Sequence, residues 1–260
     1  MAIDFCVDYQ CDAKRQIGTE ELLHLYQARL AYQATQRAPT RQGETAFWTR
    51  VVRGPHKDRV ELVTVGQLRR KSNRLIEFTV ECATCPANVT GEPAGCFGRI
   101  TYPIDSLAER YLAEQAARLV TAPSVAPARA FVQWISDGPV DGARVRRMRD
   151  AARRGVRFFE LPEPLPVLPP TPDGSQPTIT TDQLIELMFF PFVSGRTGFH
   201  FSVPHSALGG HRAFLDFVLA NLDLGHRRAE LERSTTLEEL RWYARALAVA
   251  DDLGVDLLVD

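Results

Sequence analysis

At the start of the chain Ile3, Phe5, Val7, Tyr9 and Cys11 alternate with Asp4, Cys6, Asp8 and Gln10. A period of two predicts a strand with one buried face, turning Cys11 inward and setting Cys6 among the acids. In the following TEELLHLYQARLAYQATQR, Leu22, Leu23, Tyr26, Leu30 and Ala34 form one helical stripe behind Thr19 and two acids, the pattern of an amphipathic helix. From Glu44 to Cys82 the texture changes to β-branched and aromatic runs, ETAFWTRVV, DRVELVTV and RLIEFTVEC, broken by RGPHK and RRKSN. These read as three consecutive strands with hairpin-like breaks. In the third, Ile76, Phe78, Val80 and Cys82 share a face, which places Cys82 at the end of a core-facing row.

Beyond the segment CATCPANVTGEPAGCFG, RITYPI reads as a short strand. Ser106 and Glu109 form a capping box for the helix SLAERYLAEQAARL. ARAFVQWIS and GARVRRMRDAARR are two further helical pieces, the second closed by Gly155. LPEPLPVLPPTPDGSQP holds seven prolines without periodicity and reads as an extended connector. Thr180 and Gln183 then cap LIELMFF, RAFLDFVLANL makes another helix, and Thr235 with Glu238 caps LEELRWYARALAVADDL ahead of Gly254. VDLLVD reads as a final strand. The fold class that follows is α+β: an N-terminal, mainly antiparallel sheet with covering helices, then a mostly helical C-terminal region. The expected organisation is an α+β domain with the cysteine loop over 1–160, a proline-rich connector over 161–178 and a mostly helical region over 179–260.

The 260 residues, 45% of them hydrophobic, are enough to bury a substantial core. A net charge of −1 removes any whole-molecule attraction to nucleic acid or anionic lipid, so either would need a local patch. The longest greasy segment, LIELMFFPFV, carries Glu186 and is broken by Pro191, too short and too interrupted to cross a membrane. The first residues alternate and include Asp4 where a secretory signal needs a basic start and an apolar run. A cytoplasmic location is therefore expected, with five reduced cysteines, an odd number, acting as free thiols or metal ligands. The sequon at Asn88 would then go unused.

Thiolate ligation of a metal needs sulfurs that converge, and the Cys82-x-x-Cys85 knuckle aims two at one point. Cys96 lies across a segment holding Gly91, Pro93 and Gly95, flexible enough to fold back as a third ligand. Cys11 is the expected fourth, with His56 as its rival. A closed four-ligand zinc site of this kind is structural, leaving no open position for catalysis. An iron–sulfur cluster and simple buried thiols are the competing readings. A redox role for Cys82-Cys85 ranks lower, because such a pair needs a helix N-terminus to lower a thiol pKa and the residues after it read as loop.

GFHFSVPHSALGGHRAF sets His200, His205 and His211 in a turn-rich stretch, where three imidazoles could hold a hydrolytic zinc with Asp216 or Glu186 behind them. The spacing matches no compact metal signature, and Ser206 capping a helix with Gly209 and Gly210 at a bend explains it equally. There is no Gly-x-Ser-x-Gly, no dinucleotide fingerprint and no phosphate-binding loop. Arg144, Arg146, Arg147, Arg149, Arg153, Arg154 and Arg157 give ARVRRMRDAARRGVR a local charge of +6, but they point all round a helix axis. Arg144, Arg147 and Arg154 would be the contacts of a nucleic-acid module. The tail from Glu230 to Asp260, at −5, is an alternative acidic partner in cis. With no catalytic signature present, the expected task is binding a protein partner, the loop being pinned by zinc. The rivals are a histidine metal hydrolase and an arginine-driven nucleic-acid binder.

Overall fold

A computed structural model describes residues 2–37, 43–52, 59–101, 105, 107–108, 111, 165–166, 172, 174, 178–179, 201–203, 205–219 and 234–259. It is a mixed α+β fold. The chain divides into two compact units, one made of Met1–Tyr9 with Gly98–Asp260 and the other of Gln10–Phe97. In chain order the second is an insertion behind the first strand. The predicted helices at ARAFVQWIS, GARVRRMRDAARR and LIELMFF lie outside the described residues, as do most of the proline-rich segment, His56 and His200.

In the first unit, strand β1 (Ala2–Val7) pairs antiparallel with a strand formed by the predicted C-terminal segment (Leu257–Val259), in the register Phe5↔Val259, Cys6↔Leu258, Val7↔Leu257. That last strand also pairs antiparallel with Phe201–Val203, and Phe97–Thr101 lies on the other side of β1. The alternation at the N-terminus was expected to sort buried from exposed residues. Instead Asp4, Phe5, Cys6 and Val7 are all buried, as are Leu257, Leu258 and Val259, because both faces of these strands are covered. Cys6 is therefore in the core, its thiol donating to Val7 O at 3.3 Å. Asp4 is satisfied by Arg99, whose Nε donates to it at 3.2 Å.

The helix Thr235–Leu253 buries Leu237, Leu240, Tyr243, Ala246, Leu247 and Ala250 along one stripe and packs on β1. Its cap is Ser234, whose Oγ accepts from Leu237 N–H, one residue before the expected Thr235; Gly254 ends it at φ 66° as expected. Tyr243 has no exposed surface and meets the Phe5 ring edge-on at 5.0 Å. The expected turns around the histidines are instead the strand Phe201–Val203 and the helix His205–Leu219, so Gly209 and Gly210 lie inside a helix. Burial of Leu208, His211 and Leu215 at helical spacing outweighs a glycine cost of about 1 kcal/mol each. Within the proline-rich segment, Leu165–Pro166 pairs antiparallel with Thr178–Ile179, a short ladder rather than a purely extended connector. No helix among the described residues is long and apolar enough to cross a membrane.

The start of that long C-terminal helix also clamps the chain leaving Phe97–Thr101. Glu239 accepts from Thr101 N–H at 2.6 Å and from its hydroxyl at 2.8 Å. Asp105 caps the residues that follow: its Oδ1 accepts from Leu107 and Ala108 N–H, and its Oδ2 from the Ser234 hydroxyl at 2.6 Å; Ser106 and Glu109, the expected capping box, lie outside the described residues. Burial raises the Asp105 pKa, but the bonds from Ser234, Ala108 and Thr236 outweigh it and hold the carboxyl below its usual value. A depressed carboxyl contributes stability above its unfolded pKa of about 3.9 and loses it as pH falls through the folded value. Asp105→Asn is expected to cost about 1–3 kcal/mol near neutral pH. Urea denaturation should show that deficit shrinking below pH ~4; a deficit unchanged with pH would mean the carboxylate charge is irrelevant.

The Gln10–Phe97 unit opens with helix α1 (Asp12–Ile17), stopped by Gly18 at φ 82°, and α2 (Thr19–Arg37) follows. The second helix is where the stripe predicted it, but it buries Leu22, Leu23, Leu25 and Ala28 while Ala34 is exposed. Strands β2 (Phe47–Val52) and β3 (Arg59–Thr64) form the expected hairpin, pairing Phe47↔Thr64 through Val52↔Arg59.

The third expected strand is helical. Thr64 and Gln67 close a capping box on α3 (Val65–Arg74), a 3-10 turn covers Leu75–Phe78, and α4 spans Thr79–Ala83. Its buried residues are Val65, Leu68, Leu75, Phe78 and Cys82, while Ile76 and Val80 are 67% and 75% exposed. Leu75 next to Ile76 makes the same letters fit either period, and the cap at Thr64 selects the helical one.

Candidate thiol site

Four of the five cysteines belong to the Gln10–Phe97 unit; Cys11, Cys82 and Cys96 are buried and Cys85 is half-exposed. Cys11 was expected at the inward end of the first strand. That strand stops at Val7, and Cys11 is instead the N-cap of α1, with extended backbone and its carbonyl accepting from Arg15 N–H. Its side chain makes no capping hydrogen bond to the first helical turn. The neighbouring Cys85 thiol, with the backbone of Lys14 and Ala13 and the charge of Lys14, outweighs burial and lowers the Cys11 pKa to about 5. Cys85 moves the opposite way, raised by the neighbouring Cys11 and by burial. Lys14 is 2% exposed, and its ammonium lies 5.6 Å from the centre of the Phe97 ring.

The loop after α4 has a packed interior of its own. Ala87, Val89, Ala94 and Cys96 are buried, and Asn88 ties it together: its Nδ2 donates to Cys82 O at 2.6 Å and Glu92 O at 3.0 Å, and its Oδ1 accepts from Gly91 N–H at 2.8 Å. Val89 N–H donates to Gly95 O at 2.9 Å, and Arg29 from α2 pairs with Glu92 at 2.8 Å. This folding turns Ala94, at φ 60°, so that its N–H donates to Cys82 Sγ at 3.2 Å. Burial raises the Cys82 pKa in spite of its Ala94 bond.

Of these sulfurs, that of Cys82 accepts a backbone N–H, from Ala94. Cys96 lies in the same buried loop. Among the described residues, no three His, Cys, Asp or Glu side chains are grouped closely enough to make a ready-formed metal site. His205 begins its helix exposed, 3.8 Å from Asp251; His211 lies six residues on, fully buried, its ring 5.7 Å from Tyr243. Asp216 is exposed on the same helix, 3.8 Å from Arg212. Arg144, Arg147 and Arg154 lie outside the described residues.

Lys14, Asn88 and the donor Ala94 are the parts the sequence reading missed. Only α1 had a local signal, in the acid-first, base-last order of Asp12, Lys14 and Arg15 before Gly18. Set against known protein families, curated proteins and solved structures, the chain matches none of them.

Proposed function

We propose that Cys11, Cys82, Cys85 and Cys96 hold a structural zinc ion that pins the cysteine loop to α1, and that the pinned module binds a protein partner. The observation carrying this reading is the Ala94 N–H directed at Cys82 Sγ at 3.2 Å, in the loop that also holds Cys85 and Cys96. A neutral thiol is a weak acceptor, whereas a thiolate at a metal uses such donors to spread its charge. Sulfur-rich donor sets favour zinc among the abundant divalent ions, and four protein ligands leave no position for substrate. Metal binding supplies the free energy that draws the four sulfurs to one centre. Support for a binding task comes from large apolar side chains left in solvent. Ile76 and Val80 stand one helical turn apart, and Phe47 and Leu62, 68% and 66% exposed, sit at registers of the same hairpin face.

Elemental analysis of the purified chain should find one zinc per chain, and X-ray absorption should show sulfur ligands. Serine at Cys11, Cys82, Cys85 or Cys96 should lower the metal content at least about tenfold in affinity, whereas Cys6→Ser should retain it. A chain that arrives metal-free and takes up no zinc on titration ends this reading. Visible absorption with bound iron would replace zinc by an iron–sulfur cluster, and nitrogen ligands would redirect attention to the histidines.

A further inference from the structure

We propose that the ridge formed by Ile76 and Val80 is the docking face for a basic amphipathic helix, a lysine- or arginine-bearing peptide that lays its apolar stripe on these two side chains and its cations on Glu77 and Glu81. The proposal rests on the partner-binding reading and names the partner's chemistry; it does not depend on zinc. The 3-10 turn Leu75–Phe78 and α4 make one helical run with two sides. Leu75, Phe78 and Cys82 are buried, while Ile76 and Val80 stand 67% and 75% exposed. Ala83 and Thr84, also exposed, extend the ridge by a turn. β-Branched side chains lower helix propensity slightly, and at neither ridge position does burial offset that.

The charge on the run is of one sign. Between Leu75 and Thr84 the charged residues are Glu77 and Glu81 alone, one helical turn apart and each next in sequence to a ridge residue. The cations that flank the run in sequence are already engaged, Arg74 with Glu21 at 2.8 Å and Arg99 with Asp4 at 3.2 Å. Among the described residues neither Glu77 nor Glu81 has a cationic partner. Glu81 also holds its Oε2 out of solvent with no hydrogen-bond donor among those residues. A carboxylate oxygen so placed lacks the donors that water would give it, and a partner's ammonium or guanidinium supplies them. Cations four residues apart on a partner helix match the Glu77–Glu81 spacing, and the apolar stripe beside them matches Ile76 and Val80. The same two carboxylates repel an acidic peptide or a phosphate backbone.

The test is fluorescence anisotropy on the full chain, metal-free and zinc-loaded. The probe is a labelled amphipathic peptide of leucine and lysine, about 15 residues long so that it can form a helix, and its counterpart carries glutamate at every lysine. The basic peptide should bind, more weakly as salt rises, with the acidic one at least about tenfold weaker. Val80→Ser should weaken the basic peptide about tenfold, and Glu77→Lys should weaken it and flatten its salt dependence. Both side chains are in solvent, so circular dichroism and the urea midpoint should not change. Peptides of either sign binding alike, an acidic peptide binding better, or a basic one indifferent to both substitutions overturns the proposal. The comparison of the two peptides on the parent chain decides it even if a variant misfolds. A zinc-replete chain that binds neither peptide ends this proposal and leaves the metal reading standing. A chain that takes up no zinc yet binds the basic peptide through Val80 ends the metal reading alone.

Discussion

Gly98→Ala should be among the most damaging single-methyl additions in this chain, costing about 3 kcal/mol in urea denaturation, the upper end for overpacking. A β-carbon at Gly98 would sit 2.1 Å from Cζ of Phe5 and within 2.9 Å of two more of its ring atoms. Phe5 cannot retreat: it is 2% exposed and its ring abuts Tyr243, itself fully buried. The strand must therefore move away from β1 or the ring must leave the core. A second substitution tests the cause. Phe5→Ala alone should cost about 3–5 kcal/mol through the cavity it leaves. In that background Gly98→Ala should add little, giving a coupling energy of about 2 kcal/mol. Equal costs in both backgrounds would show that the ring is not the obstacle.

Gly95→Ala is the second large effect, and it falls on the thiol site. The added carbon would lie 2.0 Å from Asn88 Oδ1, 2.4 Å from Thr90 Oγ1 and 2.8 Å from Glu92 O. The two side chains could rotate, but turning Asn88 gives up its bonds to Cys82 O, Glu92 O and Gly91 N–H, and the Glu92 carbonyl belongs to the backbone. The loss is about 2–3 kcal/mol, combining overpacking with broken hydrogen bonds. Because those bonds position Ala94 against Cys82, the loop should open before the rest of its unit does. At 1.4 kcal/mol per factor of ten, a thiol reagent should label Cys82 and Cys96 about tenfold or more faster than in the parent chain. An unchanged labelling rate alongside a lower urea midpoint would place the damage elsewhere.

Both glycines show what a linear reading cannot weigh. Gly95 looked like a source of loop flexibility, yet the folded loop needs it because polar side chains crowd its α-carbon. Gly98 drew no notice at all, since the Phe5 ring that excludes a methyl there is supplied from 93 residues earlier in the chain.

The amino-acid order by itself determined the α+β character, the strand at each terminus, the β2–β3 hairpin, the positions of α2 and the C-terminal helix, and the stop at Gly254. Each of these depends on neighbours within a turn or two, where apolar period, caps and turn residues act directly. Tertiary structure decided the rest. It made residues 65–83 helical where two periods competed, buried Cys6 and Asp4 by covering both faces of β1, and carried His205–Leu219 through two glycines on the strength of a buried stripe. It also aimed the Ala94 N–H at Cys82. Those outcomes turn on desolvation and on contacts between residues far apart in the chain, and such terms have no value until the fold has brought the partners together.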